Sequence, residues 1–258
     1  MTSKYKFTKL LLITTLTILS SSLAIAEEFE ATLDWSKRVE LSTPVNGLVQ
    51  KVFVQPGNFV ARGDVLVQLD PRVFKANLKF AKAKLTNTYE ESKETERELD
   101  RQHDMFDRSM LSEHDLQTAK NHHTAAHSSY LQAQADLTKA KLNLEYSAIR
   151  APFNAVVIHS NTVKGQVVIS ETVAPPILVV VAEAKRMLAR FYVVGTKANE
   201  IVLNQGVKVT VANNSYQGKV KSIALESEPS KQGLYAVDVI FDSKETLLRA
   251  GQKAIVSL

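Results

Sequence analysis

Apolar and small side chains recur at alternating steps of three and four along two stretches of the chain. The first runs Leu78, Ala81, Leu85, Thr88, Ser92, Thr95, Leu99, Gln102 and Phe106. The second runs Leu116, Ala119, His123, Ala126, Tyr130, Ala133, Leu137, Ala140 and Leu144. This spacing predicts two α-helices joined along a heptad seam, polar in the middle of the first helix. No glycine lies between Gly63 and Gly165, and no proline between Pro71 and Pro152, so the strongest helix breakers are missing. Asp70-Pro71 supplies a cap and a first-turn proline for the first helix. Ser112 caps the second, with Glu113 and Asp115 in its first turn. The turn falls near residues 106–111, and each arm of about 34 residues reaches about 51 Å at the helical rise.

On either side the period changes to that of strands. Val45, Val49, Val52 and Val54 approximate alternation before a turn signal, Pro56-Gly57-Asn58. A second turn, Arg62-Gly63-Asp64, leads into Val65–Leu69. Beyond the helices, Ala148 to Ile158 and Gly165 to Val168 have the same texture, rich in β-branched residues. One small β-domain is therefore expected, its halves at 44–70 and 148–176, split by a helical hairpin at 71–147. Gly47, Gly57, Gly63 and Gly165 are the expected turn glycines. Further strands are expected at Ile177–Val181, Leu188–Val194, Val207–Val211, Gln217–Leu225, Tyr235–Phe241 and Lys253–Leu258. A short helix over Thr196–Leu203, capped by Thr196, interrupts them.

The first 26 residues have another pattern. Lys4, Lys6 and Lys9 precede a short apolar run, and Ala24-Ile25-Ala26 ends it before Glu27. This is the order of a cleavable secretory signal at 1–26, with the mature chain expected to start at Glu27. The leader changes the charge: without its three lysines, 29 basic and 27 acidic side chains remain in place of a net +5. Nucleic acid is therefore not an expected partner. Residues 72–147 hold twelve basic and twelve acidic side chains. Arg72, Lys75, Lys79, Lys82 and Lys84 lie near the base, and Glu90 to Asp107 run toward the tip.

Zero cysteine excludes disulfides, thiolate metal sites, thiol nucleophiles and an N-terminal lipid-modified Cys. There is no glycine-rich phosphate loop, nucleophile elbow or His-Glu-x-x-His helix, so an enzyme is not expected. His123 and His127 share a helical face, a metal-compatible spacing without a third ligand, and no metal or other cofactor is expected. Met105 and Met110 near the tip read as apolar contacts.

Residues 44–70 resemble the first half of a biotinyl/lipoyl domain, on Gly47, Val49, Val52, Val54, Gly57, Val60, Gly63, Leu66, Leu69 and Asp70. Residues 144–168 resemble the second half, on Leu144, Ile149, Ala151, Pro152, Phe153, Val156, Gly165 and Val168. Asn154-Ala155 stands where that pattern usually has Asp-Gly. With the hairpin between the halves, the chain resembles the periplasmic adaptors, or membrane fusion proteins, of tripartite efflux pumps (HlyD-like). No Met-Lys-Met or Asp-Lys-Ala triplet marks a true lipoyl or biotin carrier.

The resemblance implies an α+β fold: a lipoyl-like β-domain split by a long antiparallel coiled-coil hairpin, then a small β-barrel at 177–258. Residues 27–43 are expected to pair with the barrel. The implied function is non-catalytic. A periplasmic, ring-forming adaptor, hexameric in complex, links an inner-membrane efflux transporter to an outer-membrane channel. The signal without a retained anchor favours a resistance-nodulation-division pump. An ABC or major-facilitator exporter, or an envelope coiled-coil protein outside transport, is the alternative. Adaptors of this kind carry an Arg, a Leu four residues on and a Ser seven residues further around the hairpin turn. That spacing falls on Arg101, Met105 and Ser112, which the resemblance makes the channel contact.

Overall fold

The computed structural model of the chain describes residues 27–170, 175–229, 231–243 and 247–258. The expected signal at 1–26 lies outside the described residues. Two compact units divide the chain. One joins the described N-terminal strand, to Trp35, with Lys185–Leu258; the other is Ser36–Ala184.

In the second unit the seam residues pair two long helices, α1 (Pro71–Asp107) and α2 (Glu113–Tyr146). Asp70 caps α1 by accepting the Arg72 N–H, and Pro71 takes the first turn, where its missing N–H costs nothing. A side-chain hydrogen bond from Arg72 lowers the Asp70 carboxyl to about 2, so the ionised cap persists until pH falls toward that value. Ala126, Ala133 and Ala140 are buried on α2 at seven-residue intervals, and Ala81 is buried on α1. Small side chains at heptad spacing let the two helices approach closely. Further along α1, Thr88, Ser92 and Thr95 take the buried positions, as the polar middle of the pattern predicts. Lys84 joins Asp136 across the pair at 2.8 Å.

The hairpin rises from two four-stranded sheets that enclose one core. In one sheet the order is β6 (Ala148–Arg150), β5 (Val65–Leu69), β3 (Gly47–Val52), β8 (Val167–Val168). In the other it is β2 (Arg38–Leu41), β9 (Val179–Glu183), β7 (Ala155–Ser160), β4 (Phe59–Val60). Leu66, Leu69, Val49, Val157, Val168, Leu178 and Val181 fill the space between them. Each half stitches the other: Gly57 N–H donates to Val157 O and Gly63 N–H to Ala151 O, both at 2.8 Å. Asn154, where Asp is usual, accepts the Arg62 N–H at 2.9 Å and joins that stitching.

The barrel of the first unit closes in the order β1 (Glu28–Trp35), β10 (Arg186–Val194), β13 (Leu234–Asp242), β12 (Asn214–Ile223), β11 (Gly206–Val211), β14 (Lys253–Ser257). Alternate residues point inward, among them Leu33, Phe191, Val209, Val237, Val239 and Val256.

Four expectations need correction. Residues 27–43 do not all join the barrel: β1 does, but β2 pairs with β9 in the sandwich, where Val39 and Leu41 pack on the core. The Ile177–Val181 segment is not the first barrel strand. As β9 it lies between β2 and β7 with Val179 to Ala182 all buried, so the barrel resumes only at Lys185. The expected Thr196–Leu203 helix is one turn, α3 (Gly195–Ala198), without a side-chain cap; Ile201 has turned into the core. Gly47 opens β3 rather than a turn, and a Cβ there would lie 3.1 Å from Leu69 Cδ1.

Gly57, Gly63 and Gly165 do occupy turns, at φ of +91°, +92° and +89°. A Cβ on Gly57 would meet no atom within 4 Å, so a substitution there acts on the backbone alone. Gly57→Val is expected to cost about 1–3 kcal/mol, as a branched side chain at positive φ does. Thermal denaturation checks this; an unchanged melting temperature would remove the turn from the stability account.

Candidate functional site

The hairpin tip is built by the change of direction between α1 and α2. The α1 ladder ends at Asp107, and Ser109 takes a left-handed φ of 58°. Ser109 N–H donates to Phe106 O at 2.8 Å and Met110 N–H to Met105 O at 2.9 Å, which closes the turn. Ser112 then starts α2: its Oγ accepts the Asp115 N–H at 3.2 Å and donates to Asp115 Oδ2 at 2.6 Å.

The three residues singled out from the sequence lie along this end of the hairpin. Arg101 is on α1, with a side chain 63% exposed. It bonds through Nη2 and, at 3.0 Å, through Nε to Glu98, and lies 3.8 Å from Glu94. The Glu98 hydrogen bond raises the guanidinium pKa further above its ordinary value. Its partners thus lie toward the base, not at Asp104 or Asp107; Asp107 is 3.4 Å from His103 instead. Met105 is one turn beyond Arg101 and 39% exposed. Ser112 is across the turn, its hydroxyl committed to the cap. Among the described residues no hydrogen bond joins the three. Phe106 and Met110, 37% and 69% exposed, enlarge the apolar surface of the tip.

Three of the eight acids in the acidic stretch of α1 are paired with Arg or Lys on their own helix: Glu94 with Arg97, Glu98 with Arg101, and Glu96 with Lys93 at 2.7 Å. Sequence reasoning read the segregated charges but missed these i,i+3 pairs, whose signal was the threefold spacing itself. The half-buried His123 faces the polar seam. The Thr95 hydroxyl donates to Ser92 O at 3.0 Å, and His123 Nδ1 lies 3.4 Å from Thr95 Oγ1. His127 Nδ1 lies 3.5 Å from Ser92 Oγ. Among the described residues no three His, Asp or Glu side chains could hold a metal ion. No helix there is long and apolar enough to cross a membrane.

A split sandwich, a two-helix insertion and a closed six-stranded barrel together define a membrane fusion protein. Residues 37–181 match the family model described as "RND MFP, barrel-sandwich hybrid domain", and the chain belongs to that family. It is 28% identical over 246 residues to the macrolide export protein MacA of Yersinia pestis, covering 88% of this chain and 66% of that one. It is 27% identical over 129 residues to the multidrug resistance protein MexA of Pseudomonas aeruginosa, covering 50% of this chain and 30% of that one. The chain thus spans less than two thirds of the length of these curated relatives. Among solved structures, a MacA–MexA chimera carrying the Pseudomonas aeruginosa MexA α-hairpin matches at TM-score 0.68 and 21% identity, over 90% of this chain and 81% of that one. The membrane fusion protein Spr0693 of Streptococcus pneumoniae matches at TM-score 0.69 and 15% identity, over 90% and 97%. These two likenesses concern the fold.

Proposed function

We propose that the chain is a periplasmic adaptor of a tripartite efflux pump. It joins an inner-membrane transporter to an outer-membrane channel and works as a ring of copies, six in the complete assembly. The observation that carries this reading is a barrel-sandwich hybrid opened by a helical hairpin whose tip exposes Met105, Phe106 and Met110. The family model that matches favours a resistance-nodulation-division transporter. Its work is mechanical: to hold, seal and transmit movement, with no bond made or broken. At the tip, Arg101 offers guanidinium donors to carbonyls at the ends of channel helices. Met105 fills an apolar notch there, and its flexible thioether tolerates an irregular one. Ser112 fixes the direction in which α2 leaves the turn.

Arg101→Asp tests this assignment. The Arg101 ion partners are exposed glutamates on its own helix, so the substitution is expected to leave helicity and melting temperature near wild type. Crosslinking to the outer-membrane channel and resistance to a panel of toxic compounds are expected to be lost together. Normal crosslinking and normal resistance in that variant would refute the tip assignment.

A further inference from the structure

The chain has four methionines and no cysteine. Met1 lies outside the described residues, and Met187 is 1% exposed in the barrel core. The other two, Met105 at 39% and Met110 at 69% exposed, flank the hairpin turn and are joined by the Met110 N–H to Met105 O bond. A soft two-electron oxidant attacks thiolates first and exposed thioethers next. With no thiol to compete, its attack on the described residues converges on the tip. We propose that the hairpin tip is a reversible methionine-oxidation site, and that its oxidation by a hydroperoxide releases the tip from the outer-membrane channel. The second half rests on the docking reading above.

The chemistry balances with one hydroperoxide per sulfur. The thioether lone pair attacks the distal peroxide oxygen, the O–O bond breaks, and an S–O bond forms. The leaving oxygen takes a proton and departs as water or an alcohol. Sulfur is oxidised by two electrons and the peroxide is reduced by two. A dithiol reductase acting on methionine sulfoxide reverses the step: two thiols become a disulfide and the oxygen leaves as water. The product is a polar, chiral side chain where an apolar one stood, which an apolar notch cannot accept without stranding the new oxygen. The fold is untouched, because neither tip thioether belongs to a buried core.

Two arms test the proposal. In the first, the folded full chain is treated with hydrogen peroxide and mapped by peptide mass. One oxygen is expected on Met105 and one on Met110, with Met187 unmodified until denaturant is added. Oxidation of Met187 at the same rate, or tip methionines that stay reduced, overturns the site. In the second, crosslinking to the outer-membrane channel is measured before and after peroxide. Wild type is expected to fall about tenfold, the change from losing one buried apolar side chain. Methionine sulfoxide reductase with dithiothreitol is expected to restore it. The Met105→Leu, Met110→Leu variant has no tip thioether, so peroxide is expected to leave its crosslinking unchanged relative to its own untreated sample, whatever that untreated level is. Equal loss in that variant, or undiminished crosslinking of wild type carrying both sulfoxides, overturns the switch. Failure of the docking reading is separate: it shows as normal crosslinking in unoxidised Arg101→Asp, and the mass arm still decides the oxidation site.

Discussion

Gly218→Val is expected to unfold the barrel or bring it to the edge of unfolding. Gly218 lies in β12, between Val207 of β11 and Phe241 of β13. A Cβ there would be 2.7 Å from Val239 Cγ1 and 3.2 Å from both the Ile240 carbonyl oxygen and Val209 Cγ2. Val239 and Val209 are fully buried and β-branched, so neither can swing aside, and the Ile240 oxygen belongs to the sheet backbone. Valine adds two further methyls to a space that lacks room for one. The cost is about 3 kcal/mol or more, against total stabilities of roughly 5–15 kcal/mol. Gly206 is the control, because a Cβ there meets nothing within 4 Å and Gly206→Ala is expected to be near neutral. The single tryptophan, Trp35, is in β1 of the barrel, so its fluorescence reports this unit while far-UV dichroism reports the hairpin. An unshifted fluorescence transition in Gly218→Val would show that the strands separate to admit the side chain.

Ala133→Glu is expected to open the middle of the hairpin. Ala133 is fully buried on α2, and the Ala126 and Ala140 positions one heptad away are also closed to water. A glutamate there must either bury a carboxylate without a partner or push the helices apart. Neighbouring Lys84 is already paired with Asp136. The smaller of these costs is still about 3 kcal/mol. Lower helicity and faster proteolysis within 78–144 are the expected readings, with the Trp35 transition retained. Wild-type protease resistance would mean that the seam is looser than the burial of its alanines states.

The hairpin was legible because its signal is long and redundant. Every seam position inferred from spacing is buried or half-buried, apart from Phe106, which has reached the tip. Both caps were readable too, since Asp70-Pro71 and Ser112 are local chemistry. Sheet membership was not. The β9 run Val-Val-Val-Ala is buried on both faces and has no alternation to orient it. Only Ala184 and Lys185 separate it from β10 in the barrel, and no turn signal marks the change of unit. Gly47 was misplaced for a related reason: its role is room for Leu69, a contact 22 positions away that no local pattern carries. The tip residues Arg101, Met105 and Ser112 were assigned by resemblance alone and stand as a proposal, because periodicity is blind to a surface that points out of the chain.

Gln68 and Ser147 are 79 positions apart, yet the Gln68 amide donates to Ser147 O at 3.0 Å where β5 meets β6. Closing a flexible loop of that length costs roughly 3 kcal/mol more than closing a short one, and folding slows accordingly. The hairpin removes most of that penalty. Once α1 and α2 pair near their turn and zip toward the base, β5 and β6 arrive side by side with little chain entropy left to lose. The insertion that divides the sandwich in sequence thus delivers its halves to each other in time, and a fault in the seam should first be seen as slow assembly of the strands below it.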